Sequence, residues 1–201
     1  MTTDRELVQQ ILSGDVEAFR SLIERYQRLV SHIVFRMIPR ETDREEVCQE
    51  VFVKVYRNLP TFHFRSRLAT WIGRIAYNTA VNYRKKKKLP LYEDMGDRGE
   101  ASEGEGLSRN SGVEAAATDM PAPDESLIRR QSQEFLHREV DRLPPVYRSI
   151  LTLYHLDGLS YGEIGEILDL PEGTVKSYLF RARKMLKEKL LTRYPAEEWN
   201  G

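Results

Sequence analysis

Residues 160–190, SYGEIGEILDLPEGTVKSYLFRARKMLKEKL, decide how this chain is read. The stretch spells helix, tight turn, helix. Ser160 with Glu163 three residues on is a capping box, which satisfies orphan N–H groups at a helix start. Tyr161, Ile164 and Leu168 follow at helical spacing and form one apolar face. Asp169-Leu170-Pro171-Glu172-Gly173 interrupts the pattern with a turn-forming Pro and Gly. A second helix then buries Val175, Leu179, Ala182, Leu186 and Leu190. At 100° per residue, Ser177, Phe180, Arg181 and Lys184 fall opposite that stripe, flanked by Lys176, Arg183 and Lys187. Between 176 and 193 there are seven Lys or Arg and a single acid, Glu188. A helical hairpin with a solvated basic face would carry the same charge run. Capping box, turn and one-sided cations together favour a helix-turn-helix, whose second helix enters the DNA major groove.

Working outward, 201 residues allow one domain or two small ones. Long 3.6-residue periodicities recur and strand signals are lacking, so the fold class is all-α. No 18-residue apolar span or signal peptide is evident, and the chain is expected to be soluble and cytoplasmic, without membrane insertion of its own. One cysteine, Cys48, excludes an internal disulfide and a cysteine-rich zinc site. No metal or cofactor is expected. The formal net charge of zero conceals segregation: residues 1–92 carry 17 basic and 10 acidic side chains, 93–125 carry 2 and 10, and 126–201 carry 12 and 11. Two small helical domains joined by a long flexible acidic linker account for this. Their expected bounds are 1–92, 93–125 (linker) and 126–194, with a tail over 195–201. The linker composition buries too little apolar surface to offset its ordering entropy.

In the first domain, Gly14-Asp15 separates a short helix from a longer one bearing Phe19, Leu22, Ile23, Tyr26, Leu29, Val30, Ile33, Val34 and Met37 on an apolar face. His32 lies beside that stripe as a packed or surface residue. Pro39 ends the helix, and Thr42 or Asp43 can cap the next. In DREEVCQEVFVKVYRNL (43–59), Val47, Val51 and Val55 face inward, with Cys48, Phe52 and Leu59 beside them. Asp43, Glu46, Gln49, Glu50 and Lys54 face outward as an ordinary solvated surface. After Pro60 comes a loop of aromatics and cations, with Phe64 and Arg65 at its centre. The next helix, LATWIGRIAYNTAVNYRKKKK (68–88), aligns Trp71, Arg74, Asn78, Asn82 and Lys85 in one stripe. Buried amides need partners, so this stripe is poor core material; it suits nucleic acid, where aromatics stack unpaired bases and amides read their edges. Trp71 and Tyr77 read as packing residues. Arg84 to Lys88 adds five consecutive cations, a phosphate-binding footprint. In the second domain, Ile128, Phe135, Leu136 and Val140 share one helix, Leu143-Pro144-Pro145 breaks it, and Val146, Ile150, Leu151 and Leu153 share the next.

The runs DREEVCQEVFVKVYRNL, TWIGRIAYNTAVNYRKK and LPPVYRSILTLYHLDGLSYGEIGEILDLPEGTVKSYLFRAR resemble, in order and spacing, bacterial RNA polymerase sigma factors of the extracytoplasmic-function (ECF) group. The resemblance implies a dissociable subunit without catalytic activity that directs promoter-specific initiation. Its first domain (region 2) would bind core RNA polymerase and melt the −10 element; its second (region 4) would read the −35 duplex. Asp43, Glu46, Gln49 and Glu50 then become polymerase contacts. Phe64, Arg65, Arg74, Asn78, Asn82, Arg84 and Lys85 become contacts to the melted −10 strand. Lys176, Ser177, Phe180, Arg181, Arg183 and Lys184 become −35 contacts. An inhibitory anti-sigma partner is also implied. Two departures stand out: Tyr178 replaces the family's usual Arg, so a DNA contact is in question. Gly165 replaces the usual Ala, at a cost of up to ~1 kcal/mol. The alternatives are a stand-alone dimeric helix-turn-helix regulator and a site-specific recombinase. The first leaves the aromatic–amide–basic helix without a task; the second lacks a nucleophile and arginine cluster.

Overall fold

The computed structural model describes residues 2–87 and 135–193, and every regular element among them is helical. The acidic segment 93–125, Ile128, Lys88 and the tail with Trp199 lie outside the described residues. Helix α1 spans Asp4–Leu12, α2 Val16–Met37, α3 Glu41–Asn58 and α4 Leu68–Lys86, with a 3₁₀ turn at Leu59–Thr61. The second half holds α5 (135–141), α6 (Pro145–His155), α7 (Tyr161–Leu168) and α8 (Glu172–Arg193).

Local chemistry sets most of these boundaries. Thr3 and Glu6 close a capping box on α1, and the Asp15 carboxylate accepts from the N–H groups of Glu17 and Ala18 to start α2. Such caps each contribute about 1 kcal/mol. The start of α3 differs from expectation. Its N-cap is Arg40, without a side-chain cap bond, and Thr42 and Asp43 sit inside the first turn. Arg44 of that turn donates to the carbonyls of Ile38 and Pro39, which ties the start of α3 to the connection after α2. Pro145 opens α6, where its missing N–H costs nothing.

Inside the first half, α2 packs on α3 and α4, burying Leu22, Val30, Ile33, Val34, Val47, Val51, Val55, Ile72 and Ala76. Cys48 is half-buried and its thiol is pushed up to about 11, first by burial. Its alkylation at pH 8 should therefore run at least tenfold slower in the folded chain than in urea, because so little thiolate is present. Equal rates would show an open, reactive thiol. In the second half, α6 and α7 enclose α8 through Ile150, Leu153, Ile164, Ile167, Val175, Leu179 and Ala182. The expected buried stripe of α8 fades after Ala182, where Leu186 and Leu190 are only half-buried. Leu136 is likewise exposed rather than core.

The two halves also meet each other. α2 packs against α6 and α4 against α7, and the buried side chains form one continuous cluster. A sequence pattern that separates two domains by composition carries no signal for this contact.

Candidate nucleic-acid interface

The C-terminal motif forms as its residues dictate. Ser160 Oγ accepts from the Glu163 N–H, and Glu163 Oε2 accepts from the Ser160 N–H at 2.9 Å. Partial burial pushes the Glu163 carboxyl up, but hydrogen bonds from Ser160 and Arg67 outweigh it, and the group ends below its usual range. The turn pivots on Asp169, left-handed at φ 58°, a conformation Asp tolerates better than most residues. Leu170 N–H then bonds to the Gly165 carbonyl at 2.9 Å. At Gly165 an added Cβ would lie 2.6 Å from the Leu170 carbonyl oxygen. In this backbone the glycine leaves room for that carbonyl, a fit that offsets the helix-propensity penalty expected from sequence.

Along α8, Lys176, Ser177, Phe180, Arg181, Arg183 and Lys184 are all exposed, Ser177, Phe180, Arg181 and Lys184 opposite Val175, Leu179 and Ala182 and the other two on the flanks. Phe180 is 71% exposed, an aromatic with no core role. The cations are partly organised beforehand. Lys176 pairs with Glu172 at 2.9 Å and lies over the Tyr161 ring, while Arg183 sits over Tyr154 and 3.2 Å from His155 Nε2. The Ser177 hydroxyl donates to the Gly173 carbonyl, so in this state it bonds its own helix. Tyr178 packs edge-on against Tyr147 at 5.5 Å. Its ring belongs to the seam between α6 and α8.

A second polar face lies on α4. Arg74, Asn78, Asn82 and Lys85 are exposed in one stripe about 16 Å long at 1.5 Å per residue. Arg84 does not share it. Its guanidinium is 4% exposed and donates to the Met37 carbonyl at 2.5 Å, which ties α4 to the end of α2. The reason is helical phase: one residue before Lys85, Arg84 faces inward, so it is withdrawn from the strand-binding cations. Trp71 is half-buried against Phe62, with ring centroids 5.0 Å apart, as its packing role predicts. Phe62 in turn contacts Phe64 at 4.7 Å. Phe64 is the outlier of the loop, a bulky aromatic held at φ 55° and 40% exposed. Non-glycine residues adopt such backbone at a cost, and bulky ones rarely. Arg5, from α1, places its guanidinium 5.4 Å from the centre of the Phe64 ring. Fifty-nine residues separate the two, and no sequence pattern announced Arg5 as part of this face.

On α3, Glu46, Gln49 and Glu50 are exposed and Asp43 half-buried. Glu50 pairs with Lys54 at 2.7 Å, and Lys54 also reaches Thr79 of α4. Val53 and Tyr56, 47% and 53% exposed, lie on the same stripe, and Tyr56 meets Phe19 edge-on at 4.9 Å. Spacing could have found them, since residues 46, 49, 50, 53 and 56 share one 120° arc.

Comparison with known proteins identifies the family. Residues 22–89 match the family model "Sigma-70 region 2" and residues 134–186 match "Sigma-70, region 4". A helical protein that joins these two regions is a transcription-initiation factor of the sigma-70 class. The chain is 37% identical to the ECF RNA polymerase sigma-E factor of Escherichia coli over 94% of each chain. It is 36% identical to that of Haemophilus influenzae over 94% of this chain and 95% of the relative. The chain belongs to the ECF group of RNA polymerase sigma factors. Among solved structures, CnrH in complex with the cytosolic domain of CnrY superposes with TM-score 0.63, covering 95% of this chain and 99% of that one at 21% identity. The sigma factor RpoE of Bartonella quintana, in complex with the anti-sigma factor NepR, gives 0.59 over 87% and 98% at 18% identity. At those identities the likeness is one of fold.

Proposed function

We propose that this chain acts as an alternative sigma factor that reads two promoter elements with two separate faces, and that the spacing between them is held by core RNA polymerase. The observation that carries this reading is the pairing of two exposed polar faces in one chain: the amide–cation stripe of α4 and the basic face of α8. The α8 face suits a duplex major groove, where cations neutralise phosphates. The α4 stripe suits unstacked bases, with Asn78 and Asn82 reading edges and the Phe64 loop holding a base out of the stack. Residues 1–92 are the −10 and polymerase-binding domain in this reading, 93–125 the acidic linker, 126–194 the −35 domain and 195–201 a tail. Asp43, Glu46, Gln49 and Glu50, with Val53 and Tyr56 beside them, form the polymerase-facing surface.

In this reading the chain has no chemistry of its own: it binds, and melting is offset by capture of unpaired bases. It works in the cytoplasm; no helix among the described residues is long and apolar enough to cross a membrane. An anti-sigma partner fits the same picture, because covering either face would silence the protein.

Arg5 belongs to the strand-capturing face, since a base stacked on Phe64 would meet its guanidinium. Arg5→Ala is expected to weaken −10 single-strand binding by the holoenzyme about threefold, in line with a cation–π contact of about 0.5–1 kcal/mol. Binding unchanged with Arg5→Ala but weakened with Phe64→Ala would remove Arg5 from the face. The two-face reading itself is tested by a gel shift on full promoter DNA with and without core polymerase. Specific binding at nanomolar concentration should require the core; tight, palindrome-dependent binding by the chain alone would point instead to a dimeric regulator.

A further inference from the structure

Two tyrosines lie at the rim of the core behind the helix-turn-helix. Tyr154 sits in the last turn of α6 and Tyr161 opens α7, both half-buried. The chain between them fixes their approach. Gly158 turns at φ 63°, the buried Leu159 donates its N–H to the Leu153 carbonyl at 3.0 Å, and the Ser160–Glu163 capping box sets the first turn of α7. The two rings meet nearly parallel, 5.2 Å between centroids and 8° between planes. Such a pair is attractive beyond its buried area, and each ring limits the rotation of the other. His155 stands edge-on to Tyr154 at 5.0 Å.

Helix α8 rests two of its cations on this pair. Lys176 Nζ lies 5.4 Å from the centre of the Tyr161 ring, and the Arg183 guanidinium 5.3 Å from that of Tyr154. Seven residues separate the two cations, two helical turns and about 10.5 Å, so they stand one above the other on one flank. Each also has an anchor at its side. Lys176 pairs with Glu172 at 2.9 Å, and Arg183 lies 3.2 Å from His155 Nε2. Lys184, on the side of α8 opposite the buried stripe, makes only a 3.9 Å pair with Glu188. The basic face therefore contains two kinds of cation, seated and unseated.

Seating matters for binding because a lysine or arginine fixed on a phosphate loses rotamer freedom, and that cost is subtracted from affinity. A cation already held on an aromatic face has met part of the cost during folding. It also keeps its full charge, since the attraction comes from the ring quadrupole and neutralises nothing. Both members of the Lys176–Glu172 pair are about half exposed, and exposed pairs are weak, so phosphate can displace the carboxylate. The stack orders two side chains and leaves both available to an anion.

We propose that Tyr154 and Tyr161 are positioning residues for the upstream-element reader: their stack holds Lys176 and Arg183 in register as phosphate contacts, so that both engage the DNA backbone without first being ordered. The tyrosines act through these two cations and read no base themselves. This role rests on reading α8 as the duplex-binding helix.

The test measures, by fluorescence anisotropy at several salt concentrations, the affinity of core polymerase carrying the full chain for a promoter duplex that it transcribes in run-off assays. Tyr154→Leu keeps apolar bulk but removes the ring under Arg183, and should weaken binding about two- to fivefold, the loss of one exposed cation–π placement. Tyr161→Leu should do the same through Lys176. In each variant the slope of log affinity against log salt should fall by about one, because one phosphate contact disengages. Tyr154→Phe and Tyr161→Phe, which keep the ring, should restore affinity and slope. Arg183→Ala should cost much less in the Tyr154→Leu background than in the wild-type chain, whereas Lys184→Ala should cost the same in both. Circular dichroism melting guards against loss of fold; should one leucine variant melt early, the other ring and its cation carry the same comparison. Additive losses for a ring and its own cation, or an unchanged salt slope, would overturn the positioning role. A phenylalanine variant as weak as its leucine counterpart would overturn it as well, by assigning the effect to the hydroxyl. Failure of the α8 reading would appear separately, as binding indifferent to Arg183→Ala and Lys184→Ala in the wild-type chain.

Discussion

Asn78→Ala is expected to reduce open-complex formation by at least tenfold while leaving binding of the holoenzyme to the upstream duplex within twofold. The side chain is exposed in the α4 stripe, one turn from both Arg74 and Asn82, and among the described residues it makes no hydrogen bond whose loss would disturb the core. Its removal therefore acts on recognition rather than folding. An amide that reads a base edge with two hydrogen bonds is worth about 1–3 kcal/mol, hence the size of the effect. Permanganate footprinting of the melted region measures the first quantity, and a gel shift on an upstream-only duplex measures the second. Equal loss of both would mean that α4 contributes only general affinity, and the division of labour between the two faces would fail.

Gly165→Val should produce a marked loss of stability in the helix-turn-helix. Its Cβ would meet a backbone carbonyl oxygen at 2.6 Å, and a carbonyl cannot rotate away as a side-chain tip can. Overpacking of this kind costs about 1–3 kcal/mol, against a helix-propensity gain over glycine of well under 1 kcal/mol for a β-branched residue. Gly162 is the internal control, since nothing lies within 4 Å of a Cβ added there. Gly162→Ala should leave the melting temperature level or raise it slightly, while Gly165→Val should lower it by several degrees and weaken upstream duplex binding. Identical behaviour of the two variants would show that local space at Gly165 does not limit the turn.

Much of the secondary structure was legible because it rests on short-range chemistry. Ser160 with Glu163, Asp15, Pro39, Pro60 and Pro145 each act within four residues of themselves, so helix starts and stops followed from the sequence. The start of α3 was misread, because the helix begins at Glu41 with Arg40 as an N-cap that offers no side-chain acceptor, and Thr42 and Asp43 fall inside its first turn. Helical phase located the α8 face and most of the α4 stripe. It failed at Arg84, where a run of five cations suggested uniform exposure although every run on a helix must turn some members inward. Arg5 and the contact between the halves were invisible for a different reason. Arg5 meets Phe64 across 59 positions, and His32 meets Asp157 across 125, so only the folded chain brings them together. Likewise the Gly165 substitution looked costly because propensity is local, whereas its value lies in the approach of Leu170.

The central claim is that two faces of one chain read a promoter only when polymerase sets their separation. Run-off transcription with purified core polymerase tests it directly, on promoter templates whose two elements are kept while the spacer between them is varied. The account predicts transcripts that require core, chain and both elements together, with a sharp optimum in spacer length and loss of signal when either element is scrambled. Transcripts indifferent to spacer length, or no chain-dependent initiation from any template in a promoter library, would contradict it.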